Sequence, residues 1–302
     1  ELAGVATALA GLETLAQVVA AREATRLAGV ELQHGGYWYP GSGWLDPRAV
    51  CRALLDDRRI SVMQHRGPVA LQSHGDAWRA VNAQGEQLAV APCAVIATGT
   101  ASSGAPQLSW LPLRAIRGQT TQLPADQRSR RLDTVLCHSG YLPPARDGAH
   151  CIGASFNLDC QEPLPRREDQ RHNLDALAAA VPSWREHLAL LDEHALDCRV
   201  GFRCASPDYL PVAGPVPDYD AFLADYAPLR ENAKRVIDTP GTYLPGLFVN
   251  TAHGSRGLTS TPMTAQLLAS IICAEPPPLP RSLRRAVAPA RFIIRDLGRN
   301  RV

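Results

Sequence analysis

The chain has 302 residues, of which 45% are hydrophobic and 20% charged, and its 31 basic and 29 acidic side chains leave a formal net charge of +2 at pH 7. This is the composition of a globular protein of one or two domains, and it excludes a disordered chain. The longest apolar run, around residues 88–97, is interrupted by Pro92, which excludes a membrane span of about 20 residues. The near-neutral charge argues against a protein that binds nucleic acid by electrostatics alone.

The eight cysteines lie in apolar segments, and no two have the C-x-x-C spacing of a zinc or redox site. We therefore expect small, buried, free thiols, no metal, and a reducing compartment such as the cytoplasm. The sequence opens at Glu1 without a basic region or a cleavage site, so we expect no signal peptide. Because no methionine precedes Glu1, we expect the chain to be a fragment of a longer protein.

The first part of the chain predicts two helices and a strand. Apolar residues at helical spacing over residues 3–24 predict a helix that ends by Gly29. Asp46 followed by Pro47 predicts the start of a second helix, because aspartate caps helix N-termini and proline suits the first turn. A short strand is expected at residues 60–63.

Two further features precede residue 100. Short alternating runs over residues 69–90 predict a small antiparallel meander. The apolar run 94–97, which ends at Thr98 and Gly99, predicts a buried parallel strand that ends where ligands sit in open α/β folds. By itself, this run equally indicates a core strand followed by a turn.

After residue 112 the pattern changes. Short alternating segments predict an antiparallel sheet, with strands at 119–122, 134–136, 140–142, 150–155 and 196–204. The other segments predicted are helices at 166–180 and 182–192, a helical or irregular stretch at 218–230, a buried strand at 247–251, a helix at 261–274 and a proline-rich break at 276–280 before a basic tail. The chain therefore predicts an α/β fold with an inserted antiparallel sheet.

The segment 250–259, which reads N-T-A-H-G-S-R-G-L-T, combines a strand end, two glycines and a helix start. Glycines let a backbone approach a ligand closely, and the free N–H groups of a helix N-terminus favour negative charge or polar oxygens. A plain connection from strand to helix is the alternative. His253 is of interest only because it lies beside the turn.

Arg199 and Arg203 are four residues apart on a strand-like segment, which places both guanidinium groups on one face. Such an arginine in apolar surroundings suits bidentate capture of a carboxylate, although a pair of exposed surface arginines is the alternative. The segments 117–119 and 140–143 each suit either a polar group beside a ring-shaped ligand or a turn.

Taken together and in order, seven segments resemble the D-amino-acid-oxidase-like family of FAD-dependent amine oxidases. These segments are 43–47 (GWLDP), 97–99 (ATG), 117–119 (RGQ), 140–143 (GYLP), 150–155 (HCIGAS), 199–214 and 254–258 (GSRGL). Within the family, they and the ending from residue 288 are similar to the C-terminal oxidoreductase module of bifunctional enzymes that modify the wobble uridine of tRNA.

The resemblance implies roles for individual residues. Arg203 would hold the substrate carboxylate, and Tyr141 would line the substrate pocket. The residues that would contact FAD are Val69, Thr98, Gly99, Arg117, Gly118, Gln119, Gly254, Ser255, Arg256, Gly257 and Leu258.

The resemblance also implies a domain order. Residues 1–45 would lead into a Rossmann-like FAD-binding domain formed by 46–112 and 205–275, with an antiparallel substrate domain at 113–204 inserted. Residues 276–302 would form a basic C-terminal tail. The family's G-x-G-x-x-G turn and its acidic ribose ligand are not found in this sequence, so we expect the FAD-binding domain to be truncated at its N-terminus.

The implied reaction is FAD-dependent removal of the carboxymethyl group from 5-carboxymethylaminomethyl-(2-thio)uridine at the tRNA wobble position, giving 5-aminomethyluridine and glyoxylate. The implied partners are tRNA and a methyltransferase module fused upstream, with the chain a monomer. The tail arginines expected to contact RNA phosphates are Arg284, Arg285, Arg291 and Arg295, and a solvated tail is the alternative. A glycine- or sarcosine-type oxidase, and a non-catalytic remnant that binds RNA or a partner, remain alternatives for the whole chain.

Overall fold

The computed structural model describes residues 9–158 and 160–302. The strands are, in chain order, β1 (Gln17–Val19), β2 (Gly36–Trp38), β3 (Ala70–His74), β4 (Ala77–Val81), β5 (Gln87–Ala91), β6 (Ala94–Ile96), β7 (Arg114–Pro124), β8 (Leu136–Cys137), β9 (Tyr141–Leu142), β10 (Ala149–Gly153), β11 (Cys198–Ala205), β12 (Val212–Pro217) and β13 (Tyr243–Thr251). The α-helices are α1 (Ala21–Ala28), α2 (Pro47–Leu55), α3 (Arg167–Ala180), α4 (Arg185–Ala189), α5 (Tyr219–Asp225), α6 (Gly257–Ile272), α7 (Arg281–Val287) and α8 (Arg291–Leu297).

The chain divides into two compact units. Unit 1 consists of Glu1–Asp56 and Arg117–Gly201, and unit 2 of Asp57–Ile116 and Phe202–Val302. Four sheets are formed, with strand orders β1-β2, β11-β7-β10-β9-β8, β12-β13-β6 and β3-β4-β5 in the described chain. The predicted combination of α/β elements with an antiparallel sheet is confirmed.

The core of unit 1 forms where α3 packs on the five-stranded sheet. Leu174 and Leu177 of α3 are buried in one cluster with Leu123, Leu142 and Ile152 of the strands. Leu142 points into this core. Since successive side chains of a strand point to opposite faces, Tyr141, the other residue of β9, points to the opposite face of the sheet.

Unit 2 is organised around β13, the central strand of its mixed sheet. β13 pairs antiparallel with β12 and parallel with β6, in the register Leu247↔Ala94 and Val249↔Ile96. The parallel strand predicted at 94–97 is confirmed, but only Ile96 is buried, whereas Val95 is 45% exposed because β6 lies at the sheet edge. The antiparallel meander predicted over 69–90 is confirmed as β3-β4-β5.

The N-terminal helix prediction needs correction. Residues 1–8 lie outside the described residues, and residues 9–20 do not form a helix. Instead, β1 pairs antiparallel with β2, because β-branched Val18 and Val19 meet an aromatic strand. The helix of this region is α1, which begins at Ala21 and ends at Gly29 in the left-handed conformation, as predicted for its end.

Other element predictions have mixed outcomes. Asp46 caps α2 as predicted, its Oδ1 accepting from the N–H of Arg48 at 2.9 Å. The strand predicted at 60–63 is wrong, since these residues pair with no described strand and leave Ile60 and Met63 exposed. The expectation of buried thiols is also wrong, because all eight cysteines are free but only Cys204 is buried.

The basic C-terminal segment is folded rather than a solvated tail. It forms α7 and α8, and Phe292, Ile293 and Leu297 of α8 are at most 2% exposed. Ile293 and Leu297 pack in one cluster with Phe222 of α5. Burial of these three apolar side chains explains why an arginine-rich sequence forms packed structure here. None of the helices in the described ranges combines the length and hydropathy needed to cross a membrane.

Candidate functional site

In unit 2, the two glycine-containing turns predicted to contact FAD lie at the carboxyl edge of β6 and β13. The two strands are parallel neighbours, so Thr98 and Gly99 after β6 and the turn after β13 emerge at the same edge. Both turns use backbone in the left-handed region, with φ of +59° at Gly99 and +56° at Gly254. This conformation favours glycine because it has no Cβ.

A chain of hydroxyl groups ties these two strand ends together. The Thr251 hydroxyl donates to the Gly99 carbonyl at 3.1 Å and accepts from the Ser102 hydroxyl at 3.4 Å. Ser102 in turn lies 3.1 Å from the Thr98 hydroxyl. Thr251 and Ser102 are at most 2% exposed, so the hydrogen bonds that fix the turn at 98–99 come from its buried side. The outer side of the turn stays open.

The turn after β13 is fixed to the strand that carries Arg203. The Gly254 N–H donates to the Cys204 carbonyl at 2.8 Å, and Ala205 forms a bridge with His253. Unit 2 therefore brings together Arg203, the turn at 98–99 and the segment 254–258. Arg203 is half-buried, while Ser255, Arg256 and Leu258 are exposed.

His253 braces the same turn from within. Its Nε2 lies 3.0 Å from Asn250 Oδ1 and its Nδ1 lies 2.8 Å from the Ser260 hydroxyl. Burial lowers the pKa of His253, which favours the neutral ring. Because Asn250 Oδ1 is an acceptor, a neutral ring carries its proton on Nε2, and its two contacts connect the end of β13 to the first turn of α6.

In unit 1, the predicted cofactor segment 117–119 is sealed inside the protein. The Arg117 side chain is fully buried, donates to the carbonyls of Glu162 and Leu164 at 2.7 Å each, and forms an ion pair with Asp169. Its Nη2 also donates to Gln119 Oε1 at 3.0 Å. These contacts, together with Asn157, are called here the Arg117 network.

The remaining polar atoms of this network are also satisfied. Gln119 Oε1 accepts from the Arg166 N–H at 2.8 Å, and its Nε2 donates to the Arg166 carbonyl at 2.9 Å. Burial acts to raise the pKa of Asp169, but hydrogen bonds from Asn157 and Arg117 outweigh it, so this pKa lies below its ordinary value. The side chains of Arg117 and Gln119 therefore make all their contacts within unit 1. Contact between FAD and residues 117–119, Gly118 included, stays a prediction, and it could involve only their backbone atoms.

Tyr141 and Val69 occupy separate positions. Tyr141 lies on β9, opposite Cys137 of β8 and Gly153 of β10, and is 36% exposed. Val69 directly precedes β3 and is 52% exposed. The meander that follows contacts β13 through the Trp78 indole, which donates to the Pro245 carbonyl at 2.8 Å, near the start of β13 and not at its carboxyl edge.

Two of the four tail arginines predicted to bind RNA are committed elsewhere. Arg291 forms a bidentate pair with Asp208 at 2.9 and 3.0 Å and donates to the Leu210 carbonyl at 3.1 Å. Arg295 pairs with Asp296 and lies over the Phe292 ring at 4.9 Å. Arg284 is half-buried and Arg285 is exposed, so Arg285 is the clearest of the four for a phosphate contact.

Comparison with known proteins identifies the family. Residues 2–271 match the model of a family described as FAD dependent oxidoreductase. The chain belongs to this family. It is 44% identical over 278 residues to the tRNA 5-methylaminomethyl-2-thiouridine biosynthesis bifunctional protein MnmC of Stutzerimonas stutzeri (strain A1501), covering 91% of this chain and 42% of that protein. It is 41% identical to the protein of the same name from Pseudomonas fluorescens (strain Pf0-1), covering 96% of this chain and 44% of that protein. The chain thus spans less than half the length of these relatives.

Solved structures share the fold at low sequence identity. Glycine oxidase from Geobacillus kaustophilus superposes with a TM-score of 0.71 at 18% identity, covering 95% of this chain and 70% of that chain. Iminodiacetate oxidase from Chelativorans sp. BNC1 gives a TM-score of 0.66 at 20% identity, covering 91% and 67%. The predicted fold class of this FAD dependent oxidoreductase is confirmed by these likenesses.

The carboxyl edge of unit 2 fits an FAD cofactor. A Cβ built at Gly99 or at Gly254 would meet no heavy atom within 4 Å, so both turns border open space. The first residues of α6 follow at once and include no acidic side chain, which leaves a helix N-terminus suited to the oxygens of a dinucleotide. The residues that would hold FAD here are Thr98, Gly99 and the segment 254–258.

Sequence reasoning missed the residues that support these segments. Thr251 is polar at the end of an apolar strand, and that break in the apolar run was an available signal. Asp169 gave no comparable signal, because it is 52 residues from Arg117 and nothing local pairs the two. The hydrogen bond between Ser102 and Thr251 likewise joins residues that are 149 positions apart, and no local pattern indicates it.

Proposed function

We propose that this FAD dependent oxidoreductase removes the carboxymethyl group from 5-carboxymethylaminomethyl-(2-thio)uridine at the tRNA wobble position, giving 5-aminomethyluridine and glyoxylate. The observation that carries the proposal is the 44% identity to a protein named for tRNA 5-methylaminomethyl-2-thiouridine biosynthesis. That relative is bifunctional and more than twice as long, which supports a second module, proposed here to be a methyltransferase. The proposed substrate is tRNA. The chain is proposed to act on it in the cytoplasm, as a monomer.

Arg203 is proposed to hold the carboxylate of the substrate. The chemistry that FAD supplies when bound is removal of a hydride from the carbon next to the amine. A guanidinium group binds a carboxylate through two charge-assisted hydrogen bonds, and this fixes the orientation of the adjacent C–H bond. The hydrogen bond from Gly254 to the Cys204 carbonyl supports the role, because it keeps the Arg203 strand beside the proposed cofactor segment.

Substitution of Arg203 tests the substrate assignment. With FAD bound, Arg203→Ala is expected to lower kcat/KM on hypomodified tRNA roughly 10- to 100-fold, as expected when a hydrogen bond to a charged group is lost. Arg199→Ala, an exposed arginine on the same strand β11, is the matched control and should keep wild-type kinetics. If Arg203→Ala retains its flavin and turns over tRNA as fast as the wild type, Arg203 does not hold the substrate carboxylate. Glycine turnover that matches tRNA turnover would instead favour a free amino-acid oxidase.

The proposed RNA contact is Arg285, with Arg284 beside it on α7. Arg285 is exposed, whereas Arg291 is already paired with Asp208. Losing one phosphate contact weakens binding on all sequences alike and reduces the slope of log affinity against log salt by about 1. We expect this result for Arg285→Ala in a salt titration of tRNA binding. An unchanged slope would refute the contact.

A further inference from the structure

The positive charge of this near-neutral chain is unevenly divided between its two units. Unit 2 carries 17 of the 31 basic side chains but only 11 of the 29 acidic ones, so its formal charge is +6, whereas unit 1 is acidic. The net charge of +2 therefore conceals a basic unit. A basic surface there can attract a polyanion.

Five of these basic side chains come together where two distant segments of unit 2 meet. The segments are 230–235, which reads R-E-N-A-K-R, and 298–302, which reads G-R-N-R-V. The Arg230 Nε donates to the Val302 carbonyl at 2.7 Å, so the segments are in direct contact although they are far apart in the chain. The surface that they form is called here the Arg230 patch. Its basic members are Arg230, Lys234, Arg235, Arg299 and Arg301.

Both segments of the patch are anchored from the protein interior. Leu229 directly precedes the first segment and Leu297 the second, and both are at most 6% exposed in one cluster with Phe222. A Cβ built at Gly298 would lie 3.1 Å from the Ala233 Cβ, so glycine at this position lets the two segments approach closely. The basic side chains are therefore carried on packed backbone and not on a solvated tail.

Local hydrogen bonds fix the backbone of both segments. In the first, the Lys234 N–H donates to Asn232 Oδ1 at 3.0 Å, and the Arg235 N–H donates to the Asn232 carbonyl at 2.9 Å. In the second, the Arg301 N–H donates to the Asp296 carbonyl at 2.9 Å. Because the backbone is already ordered, binding of a ligand has to order only the side chains, which lowers its entropic cost.

Most cations of the patch have no counter-ion. Lys234, Arg299 and Arg301 are exposed and form no ion pair within the described part of the chain. Arg235 lies 3.8 Å from Glu231, and such an exposed pair contributes little. The arginines of α8, by contrast, are each paired with an aspartate. The patch therefore differs from α8 in that its cations gain from an added anion.

We propose that the Arg230 patch binds the sugar–phosphate backbone of RNA. Exposed cations that neutralise phosphates release the counter-ions condensed on a nucleic acid, and this release supplies the part of the affinity that is independent of base sequence. Arginine suits the contact because its planar guanidinium group binds phosphate oxygens through two hydrogen bonds. The inference rests on the proposed function, which makes tRNA the substrate, and it adds a contact surface formed by other residues than those of α7.

The composition of the patch favours RNA over an anionic membrane, which offers the same phosphate groups. Surfaces that bind membranes peripherally combine cations with large apolar side chains, such as Trp, Phe and Leu, that enter the bilayer. The two segments of the patch contain no aromatic residue and no leucine. The patch therefore suits a polyanion that stays in water.

Removal of three patch cations tests the proposal. The patch variant combines Lys234→Ala, Arg299→Ala and Arg301→Ala, whose exposed side chains can be lost with little risk to folding. Arg230 is retained because it joins the two segments. The control variant removes the same charge from exposed positions of unit 2 outside the patch, through Arg58→Ala, Arg66→Ala and Arg114→Ala.

The probe is an unmodified tRNA transcript with a fluorescent label, and anisotropy measures its affinity at salt concentrations from about 50 to 300 mM. We expect the wild type and the control variant to share one slope of log affinity against log salt. The patch variant should lose about two units of slope or more, since each phosphate contact contributes about 0.7–0.9, and should bind at least roughly tenfold more weakly at about 0.1 M salt. With FAD bound, its KM for hypomodified tRNA should rise by a similar factor while kcat is unchanged, because contacts to phosphates position the RNA without touching the reacting atoms.

Three results would overturn the patch. One is an unchanged slope in the patch variant, and another is an equal loss of slope in both variants, which would attribute RNA binding to the overall charge of unit 2. The third is a wild type that binds vesicles of phosphatidylserine and phosphatidylcholine but not tRNA. The first two leave the proposed oxidation standing if the FAD-loaded protein turns over hypomodified tRNA. Conversely, a loss of slope confined to the patch variant, without any turnover by the wild type, would uphold the patch and refute the proposed function.

Discussion

The sequence predicts contact with FAD both for the segment 117–119 and for the turns at 98–99 and 254–258. In the structure, the first is buried and the two turns are open. Arg117 is fully buried and satisfied by carbonyls, Gln119 and Asp169. Gly99 and Gly254 border open space in backbone conformations that favour glycine. Arg117 therefore stabilises the fold of unit 1, whereas Gly99 and Gly254, which have no side chain, leave room for a ligand.

Breaking the closed region should have the largest effect. Asp169→Ala leaves the Arg117 guanidinium buried without its counter-ion, and removal of one partner of a buried pair typically costs about 3–5 kcal/mol. Glu168→Ala, on the same helix but exposed, should change the free energy of unfolding by less than about 0.5 kcal/mol. Urea unfolding of both variants measures the difference. Equal stability of the two would contradict the structural role assigned to the Arg117 network.

Altering the open region should affect the cofactor more than the fold. Gly254→Leu places a side chain in the space proposed for FAD and should weaken FAD binding at least about tenfold, or 1.4 kcal/mol. The matched control is Gly85→Leu, in the turn between β4 and β5, where φ is +80° and a Cβ also meets nothing within 4 Å. Both variants should lose about 1–2 kcal/mol of stability from backbone strain. Titration of flavin fluorescence separates them, and equal FAD affinities would exclude Gly254 from the cofactor site.

The smallest expected effect concerns the anchor of the C-terminal helices. Burial acts to raise the pKa of Asp208, but hydrogen bonds from Arg291 and Ser206 lower it from 3.8 to about 2. Because this carboxyl is more acidic in the folded chain, its contribution to stability is present above about pH 4 and is lost as the pH falls through 2. Asp208→Asn should flatten the stability profile between these values, whereas the exposed Asp76→Asn should not. Thermal melts at pH 2 to 5 test this, and parallel profiles for wild type and Asp208→Asn would refute the anchor.

The sequence predicted those parts of the molecule whose signals are local. The cap at Asp46, the meander over 69–90 and the parallel strand predicted at 94–97 depend on neighbouring residues, and each is confirmed. The segment 60–63 has two β-branched residues, Ile60 and Val62, but a strand exists only when a partner pairs with it. The helix predicted at 3–24 is wrong over 17–19 for the converse reason, since pairing with β2 overrides the helical spacing there, and residues 9–16 form turns.

The candidate site was predictable only in part for the same reason. Glycines in turns and an arginine on a strand are visible in the sequence, and they led to Gly99, Gly254 and Arg203. The partners that decide what each can do are distant along the chain: Asp169 for Arg117, Ser102 for Thr251 and Asp208 for Arg291. The cavity of unit 1 that is lined by residues of 19–43, residues 134–138 and Ala180 likewise depends on segments that are distant along the chain.

The most direct test of the account is the visible absorption spectrum of the chain incubated with FAD, recorded before and after anaerobic addition of tRNA that carries 5-carboxymethylaminomethyluridine. The account predicts a bound flavin spectrum that bleaches with this tRNA and not with glycine. A spectrum that stays oxidised with the tRNA, or one that glycine bleaches equally well, would contradict it.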